Sequence, residues 1–261
     1  RGTYTYLRSL LGALCQAGEL DLVLFVSQYN QHLFASVNGR RIVCRLWGRS
    51  RSARVLYEQS ILSWRARKAG CDILFCPGYM GPIFPSIPSV LTVHDMQFRD
   101  VPGSVGRQFA AAYNLIVPPA ARHSAAVIAV SEFSKRRIIH HLRIPKSKIF
   151  VTHEAALAGG KMPDMRDVSR VKEKYGLRSE YLVSVSTAAP YKNVDRLIDA
   201  YVKLREEVGV FFELVLVGHH RDWFALKYPN AAETGIRLLG FVPDQDLPSI
   251  YKGAKAFALA S

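Results

Sequence analysis

Between Tyr181 and Leu204 the chain reads YLVSVSTAAPYKNVDRLIDAYVKL. An apolar run ends in a loop of small residues, Ser186-Thr187-Ala188-Ala189-Pro190, and Lys192 and Asn193 then open a helical pattern. Small residues let a backbone approach a ligand closely, and a helix start offers unpaired N–H groups and a positive dipole end. A lysine there reaches a phosphate as a point charge, and asparagine is a good N-cap. The segment is a candidate phosphate site; an ordinary strand-to-helix turn with an exposed lysine is the alternative. His94 is a second candidate, because it follows the apolar run Val90–Val93 and strand ends of this kind carry ligand contacts in doubly wound sheets. A structural histidine at a strand end is the alternative there. Asp95 could orient the His94 ring, line an acceptor site, or cap the next turn. The adjacent pairs His140-His141 and His219-His220 point in different directions on regular structure, and no CxxC pair exists. No metal site is therefore expected.

The elements that must position these residues are short apolar runs alternating with amphipathic segments. Strands are expected at Leu22–Val26, Ile73–Phe75, Val90–Val93, Val127–Val130 and Ile149–Val151. The second half repeats the style at Tyr181–Val185, Leu214–Val217, Ile236–Leu239 and Ala256–Leu259. The runs are apolar throughout rather than alternating, which predicts strands buried on both faces. Helical spacing lies between them, as at Val194, Leu197, Ile198, Tyr201 and Leu204. The sum is an α/β chain with parallel sheets. The Gly- and Pro-containing stretch from Ala158 to Pro163 marks a boundary between two doubly wound, Rossmann-like domains, 1–160 and 161–261. Ligands are expected in the cleft between the carboxyl ends of their strands.

The segment around Lys192 resembles the glycosyltransferase family 4 pattern "VGTxxPRKNxxxLIxAF", matching at Val185, Thr187, Pro190, Lys192, Asn193, Leu197, Ile198 and Ala200. Ser186 stands where the family often has glycine, and Tyr191 where it often has arginine. Leu216-Val217-Gly218 resembles the "LVIVG" strand end, and Arg237-Leu238-Leu239-Gly240-Phe241-Val242-Pro243 resembles "VxFLGYVS". Val90–Asp95 resembles "VVTVHD", the segment Ala126–Lys135 resembles "DxVITVSEFSRR", and Gly2–Leu11 resembles the glycine-rich "GIGRYTRNLL" turn with Tyr4 in place of its second glycine. The resemblance implies the GT-B fold of two Rossmann-like domains, the second incomplete. It places the donor diphosphate at Gly2, Ser186, Thr187, Lys192 and Asn193, and the nucleobase at Gly218, Gly240, Phe241 and Val242. It places His94 beside the transferred sugar, and His94 and Asp95 are the catalytic candidates. The implied activity moves a hexosyl group, mannosyl among the options, from a nucleoside-diphosphate sugar to a glycan or lipid-linked glycan acceptor, with retention and without metal or other cofactor. The family's "PSLYEGFGLPxLEAMA" stretch with its two glutamates should begin where Ala258-Leu259-Ala260-Ser261 ends, so the chain reads as truncated and inactive alone. A nucleotide-sugar epimerase of the same fold and a non-catalytic nucleotide-sugar-binding protein are the alternatives.

Charge adds one further expectation. The net charge is +14, with 21 Lys/Arg against 9 Asp/Glu in residues 1–165 and 14 against 12 in the remainder. The densest stretch holds Arg40, Arg41, Arg45, Arg49, Arg51, Arg54, Arg65, Arg67 and Lys68, with Glu58 as its only acid. It reads as a solvated helix face or as a surface for anionic lipid or a phosphate-bearing acceptor. No nucleic-acid recognition motif accompanies it. No run of about 18 uncharged apolar residues suggests a membrane span, and the first residues do not read as a signal peptide. Cys71 and Cys76 flank an expected strand that would hold them too far apart for a disulfide. All four cysteines, Cys15 and Cys44 included, read as reduced thiols of a cytoplasmic protein, peripheral on the inner face of the membrane.

Overall fold

The computed structural model describes residues 2–45, 50–155, 162–177, 179–209, 212–218, 224, 227–228 and 234–261. The chain divides into two compact units, Arg1–Ala158 and Gly159–Ser261.

In the first unit, helix α1 (Gly2–Ala17) precedes β1 (Val23–Ser27) and β2 (Arg40–Cys44). These two strands form a separate parallel pair, with Val23 opposite Arg40 and Ser27 opposite Cys44. Helices α2 (Arg51–Ser60) and α3 (Leu62–Lys68) lead to β3 (Leu74–Cys76) and β4 (Ser89–Val93). Then come α4 (Gln97–Asp100), α5 (Arg107–His123), β5 (Ala126–Ala129), α6 (Glu132–Leu142) and β6 (Ile149–Val151). Strands β3 to β6 lie side by side in chain order, all parallel. Leu91, Val93, Val127, Ala129 and Ile149 are buried between Ala66 of α3, Val117 and Ala121 of α5, and Ile138 and Leu142 of α6. Helix α6 starts where the Ser131 side chain accepts from Ser134 N.

The second unit runs α7 (Met165–Lys174), β7 (Tyr181–Val185), α8 (Val194–Val208), β8 (Glu213–Val217), β9 (Ile236–Gly240), α9 (Leu247–Gly253) and β10 (Ala256–Phe257). Its parallel sheet has the order β10-β7-β8-β9. The apolar run of β8 is explained by its two neighbours. Leu214 and Leu216 pack on Val194, Ile198 and Tyr201 of α8, while Val215 and Val217 pack with Val171 of α7 and Ile250 of α9. Successive side chains point to opposite faces, so a strand covered on both sides must be apolar at every position.

Three expectations are corrected. Strand β2 lies where none is expected, and it turns the front of the basic stretch into a strand rather than a helix face. Strand β1 is only partly buried, with Val26 its one buried residue, instead of being buried on both sides. Gly2 lies in the first turn of α1 and not in a loop, and a Cβ there would meet nothing within 4 Å.

Candidate functional site

In the second unit the sequence-predicted residues collect at one edge of the sheet. The chain leaves β7 through Ser186, whose N–H bonds Val217 O at 3.0 Å, and passes the exposed Thr187. A 3₁₀ turn at Pro190–Lys192 then delivers the chain to α8. Strands β8 and β9 were added on one side of β7, and β10 returns to its other side. This reversal of strand order is the switch point at which open parallel sheets leave a crevice outside their carboxyl ends. Ser186, Thr187 and Lys192 all follow the strand that borders it.

Three features there suit an anion. Lys192 pairs with no carboxylate among the described residues; its ammonium lies 5.2 Å from the centre of the Tyr191 ring. Ser186 Oγ is buried without a hydrogen-bond partner among the described residues. The first N–H groups of α8 face away from its own carbonyls, as at every helix start. Asp195 in that first turn would oppose an anion, but Lys227 holds its carboxylate at 2.6 Å.

Asn193 departs from its expected role. It occupies the cap position in the left-handed region, at φ 49° and ψ 34°, and its side chain makes no cap bond. Asparagine tolerates this conformation better than other non-glycine residues. Its Nδ2 donates instead to Ala260 O at 3.0 Å, tying the start of α8 to the chain beyond β10 across the switch point.

The residues assigned to a nucleobase sit at the next two strand ends. Gly218 N donates to Gly240 O at 2.8 Å. A register shift between Leu216 and Val217 leaves one extra residue, Leu239, on β9 at that point. Gly240 has φ 66° and open space beside it. Phe241 is exposed, whereas Val242 is buried in the core against Val215 and Ile250, so only its backbone remains for a ligand.

The carboxyl edge of the first unit converges on His94. Pro77 follows β3, His94 follows β4, Ser134 lies on α6 after β5, and Glu154 follows β6. Ser134 Oγ donates to His94 O at 2.7 Å. Pro77 O and Glu154 Oε1 each lie 3.0 Å from one ring nitrogen of His94. Tyr6 of α1 meets the ring edge-on, with centroids 5.0 Å apart. Asp95 does not orient this ring. Its Oδ1 accepts from Gln97 N at 2.9 Å, capping the turn into α4. Burial first and Asp95 second push the Tyr79 hydroxyl well above its usual range. Tyr79 itself has φ 47°, a strained conformation for a bulky residue, and its ring lies 5.6 Å from that of His94.

Sequence reading misses Tyr6, Pro77 and Tyr79 because their contacts to His94 span 15 to 88 positions of chain. The Gly78 position carries a local signal: a Cβ there would lie 3.0 Å from Thr3 Cγ2, so α1 and the loop after β3 meet closely at a glycine.

The family model for Glycosyltransferase Family 4 matches residues 1–155, and that for Glycosyl transferases group 1 matches residues 165–261. The chain belongs to glycosyltransferase family 4. This family 4 chain is 33% identical over 142 residues to O-antigen chain mannosyltransferase B of Escherichia coli, covering 52% of the chain and 37% of that protein. It thus spans little more than a third of that relative's length. Among solved structures, Anabaena Alr3699/HepE in complex with UDP and glucose matches at TM-score 0.67 and 17% identity, over 100% of this chain and 71% of the other. The UDP-GlcNAc 2-epimerase of Neisseria meningitidis, bound to UDP-GlcNAc, matches at TM-score 0.62 and 9% identity, over 98% and 74%. Both show the GT-B-type architecture that the family 4 chain shares.

Proposed function

We propose that the chain serves a glycosyltransferase that moves a hexosyl group, mannosyl by analogy with its relative, from a nucleoside-diphosphate sugar to a glycan or lipid-linked glycan. The observation that carries this reading lies at the switch point of the second sheet. There Lys192, with no carboxylate partner among the described residues, and the buried Ser186 hydroxyl, also without one, belong to the same strand-to-helix connection between β7 and α8. Breaking the glycosidic bond places negative charge on the departing nucleoside diphosphate. Lys192, Ser186 and the N–H groups of α8 are preorganised to receive it, which lowers the barrier without reorganisation at the moment of reaction. Gly240 and the exposed Phe241 offer backbone and ring to the base. The reading keeps a retaining, metal-independent transfer. Incubating the purified chain with radiolabelled UDP-, GDP- and ADP-hexoses and a glycan acceptor tests it. Transfer supports the proposal; epimerised donor, or a chain that binds none of these nucleotide hexoses, would overturn it.

The same reading puts the acceptor at an anionic membrane surface. No helix among the described residues is long and apolar enough to cross a membrane, so association would be at the surface. Not every arginine of the basic stretch is free for it. Arg40 donates to Ala69 O, Arg41 to Phe34 O and Ala35 O, Arg65 to the Tyr57 hydroxyl, and Arg54 pairs with Glu58. Arg49 and the Arg51 side chain lie outside the described structure. Arg45, Arg67 and Lys68 remain exposed. They are joined by exposed Leu56, Ile61 and Trp64 on α2 and α3, and by Phe84, which is 79% exposed. Gln59 and Ser63 pin the Phe84 loop to these helices through Gly81 O, Ile83 N and Ser86. Apolar anchors ringed by cations suit an anionic interface.

A further inference from the structure

The His94 ring is held at both nitrogens. A carbonyl oxygen only accepts, so Nε2 carries the proton of its bond to Pro77 O. An ionised carboxylate only accepts as well, so the contact of Nδ1 with Glu154 is a hydrogen bond in the imidazolium form, where Nδ1–H donates to Oε1; Tyr6 and Tyr79 close on the ring. With the side chain 14% exposed, no ring nitrogen is left for a sugar hydroxyl. Glu154 is the opposite case. It is 49% exposed, one carboxylate oxygen is anchored on His94, and the other has no partner among the described residues. An anchored carboxylate oxygen facing solvent is an acceptor of fixed direction, and a charged acceptor makes the stronger class of hydrogen bond to a hydroxyl.

We infer that Glu154 is the group this edge presents to a hexosyl hydroxyl, and that His94 is a positioning residue which aims it. The inference rests on the proposed use of nucleotide sugars. The hydroxyl belongs to a hexose of the glycan acceptor. Sequence reading gives the sugar contact to His94, because a histidine after a buried strand is visible in one line of sequence and its carboxylate partner, 60 positions away, is not.

Calorimetry on the full chain tests this with GDP-mannose and UDP-glucose, each beside its own diphosphate, and with methyl α-mannoside. Glu154→Ala should weaken binding of methyl α-mannoside about tenfold or more and leave both nucleoside diphosphates within about twofold. Binding of the two nucleotide hexoses should change no more than that of their diphosphates. Glu154→Gln, which keeps an acceptor oxygen without the charge, should fall between. His94→Phe should match Glu154→Ala, and the double variant should be no worse than either, because the two act as one unit. Loss in His94→Phe with none in Glu154→Ala would return the contact to His94 and overturn the inference. Equal loss for diphosphate and sugar ligands would reduce Glu154 to a structural role and overturn it too. A wild-type chain that binds no nucleoside diphosphate removes the underlying functional reading as well, so the two failures are told apart.

Discussion

Ser186 shows how a single residue can cost stability where it serves a ligand. Its hydroxyl is buried at the end of β7 without a partner among the described residues, and an unmade buried hydrogen bond is unfavourable in the free protein. Ser186→Ala should therefore raise the stability of the unliganded chain, by up to about 1 kcal/mol in a denaturant titration. The same substitution should weaken nucleoside diphosphate binding. Lower stability together with unchanged binding would show that the hydroxyl has a structural partner instead. The small-residue loop and Lys192 are legible in the sequence because the chemistry lies in adjacent positions. The roles of Asn193 and Asp95 are not. Asparagine at a helix start reads as a cap, yet the αL backbone turns its amide toward Ala260. Asp95 reads as a partner for its neighbour His94, but Gln97 N claims its Oδ1.

At the scale of elements, the second sheet depends on how α7 and α9 are joined behind it. Asp246 at the start of α9 is 1% exposed, and its Oδ2 accepts from Lys174 Nζ at 2.7 Å and from the Tyr175 hydroxyl at 2.9 Å. The Lys174 bond, and then that of Tyr175, hold its carboxyl below the usual carboxylate range against the opposing effect of burial. A lowered native value stabilises the fold above about pH 4, where the unfolded carboxyl is ionised, and the contribution is lost as pH falls through the native value. Asp246→Asn should cost about 1–3 kcal/mol at pH 7. In urea titrations the gap between variant and wild type should narrow toward pH 3. A gap that does not change with pH would mean that packing, not charge, joins the helices. Gly253 closes the same helix: a Cβ there would lie 2.7 Å from the Tyr181 hydroxyl, which itself donates to Ile250 O at 2.8 Å. Gly253→Ala should destabilise by about 1–3 kcal/mol through overpacking; unchanged thermal unfolding would show that Tyr181 swings clear. The doubly buried strands are plain in the sequence because burial on both faces demands apolar residues throughout. Strand β2 is hidden because an edge strand with one exposed face can carry arginines, and Arg40 and Arg41 merge with the charges that follow.

Across the whole molecule, charge is distributed more selectively than the sequence count suggests. The net +14 is concentrated before residue 166, but several of those arginines bond carbonyls or a tyrosine within their own unit. The surface left for a membrane is smaller, and it mixes Trp64, Leu56 and Phe84 with Arg67 and Lys68. The chain should cosediment with vesicles containing anionic lipid and be released as salt screens the attraction over about 8 Å at physiological ionic strength. Trp64→Ala combined with Lys68→Glu should reduce that binding while leaving nucleotide binding intact. Equal cosedimentation with neutral and anionic vesicles would remove the electrostatic part of the membrane attraction.

Everything proposed for the donor depends on the switch point of the second sheet holding a diphosphate through Lys192. Titration calorimetry of wild type and Lys192→Ala, with a nucleoside diphosphate and with the bare nucleoside, reads this directly. The diphosphate should lose about 1.5–3 kcal/mol of binding, the range of a charge-assisted hydrogen bond, and the nucleoside almost none. Equal losses for both ligands would contradict the assignment, because Lys192 would then support the fold and not the phosphates.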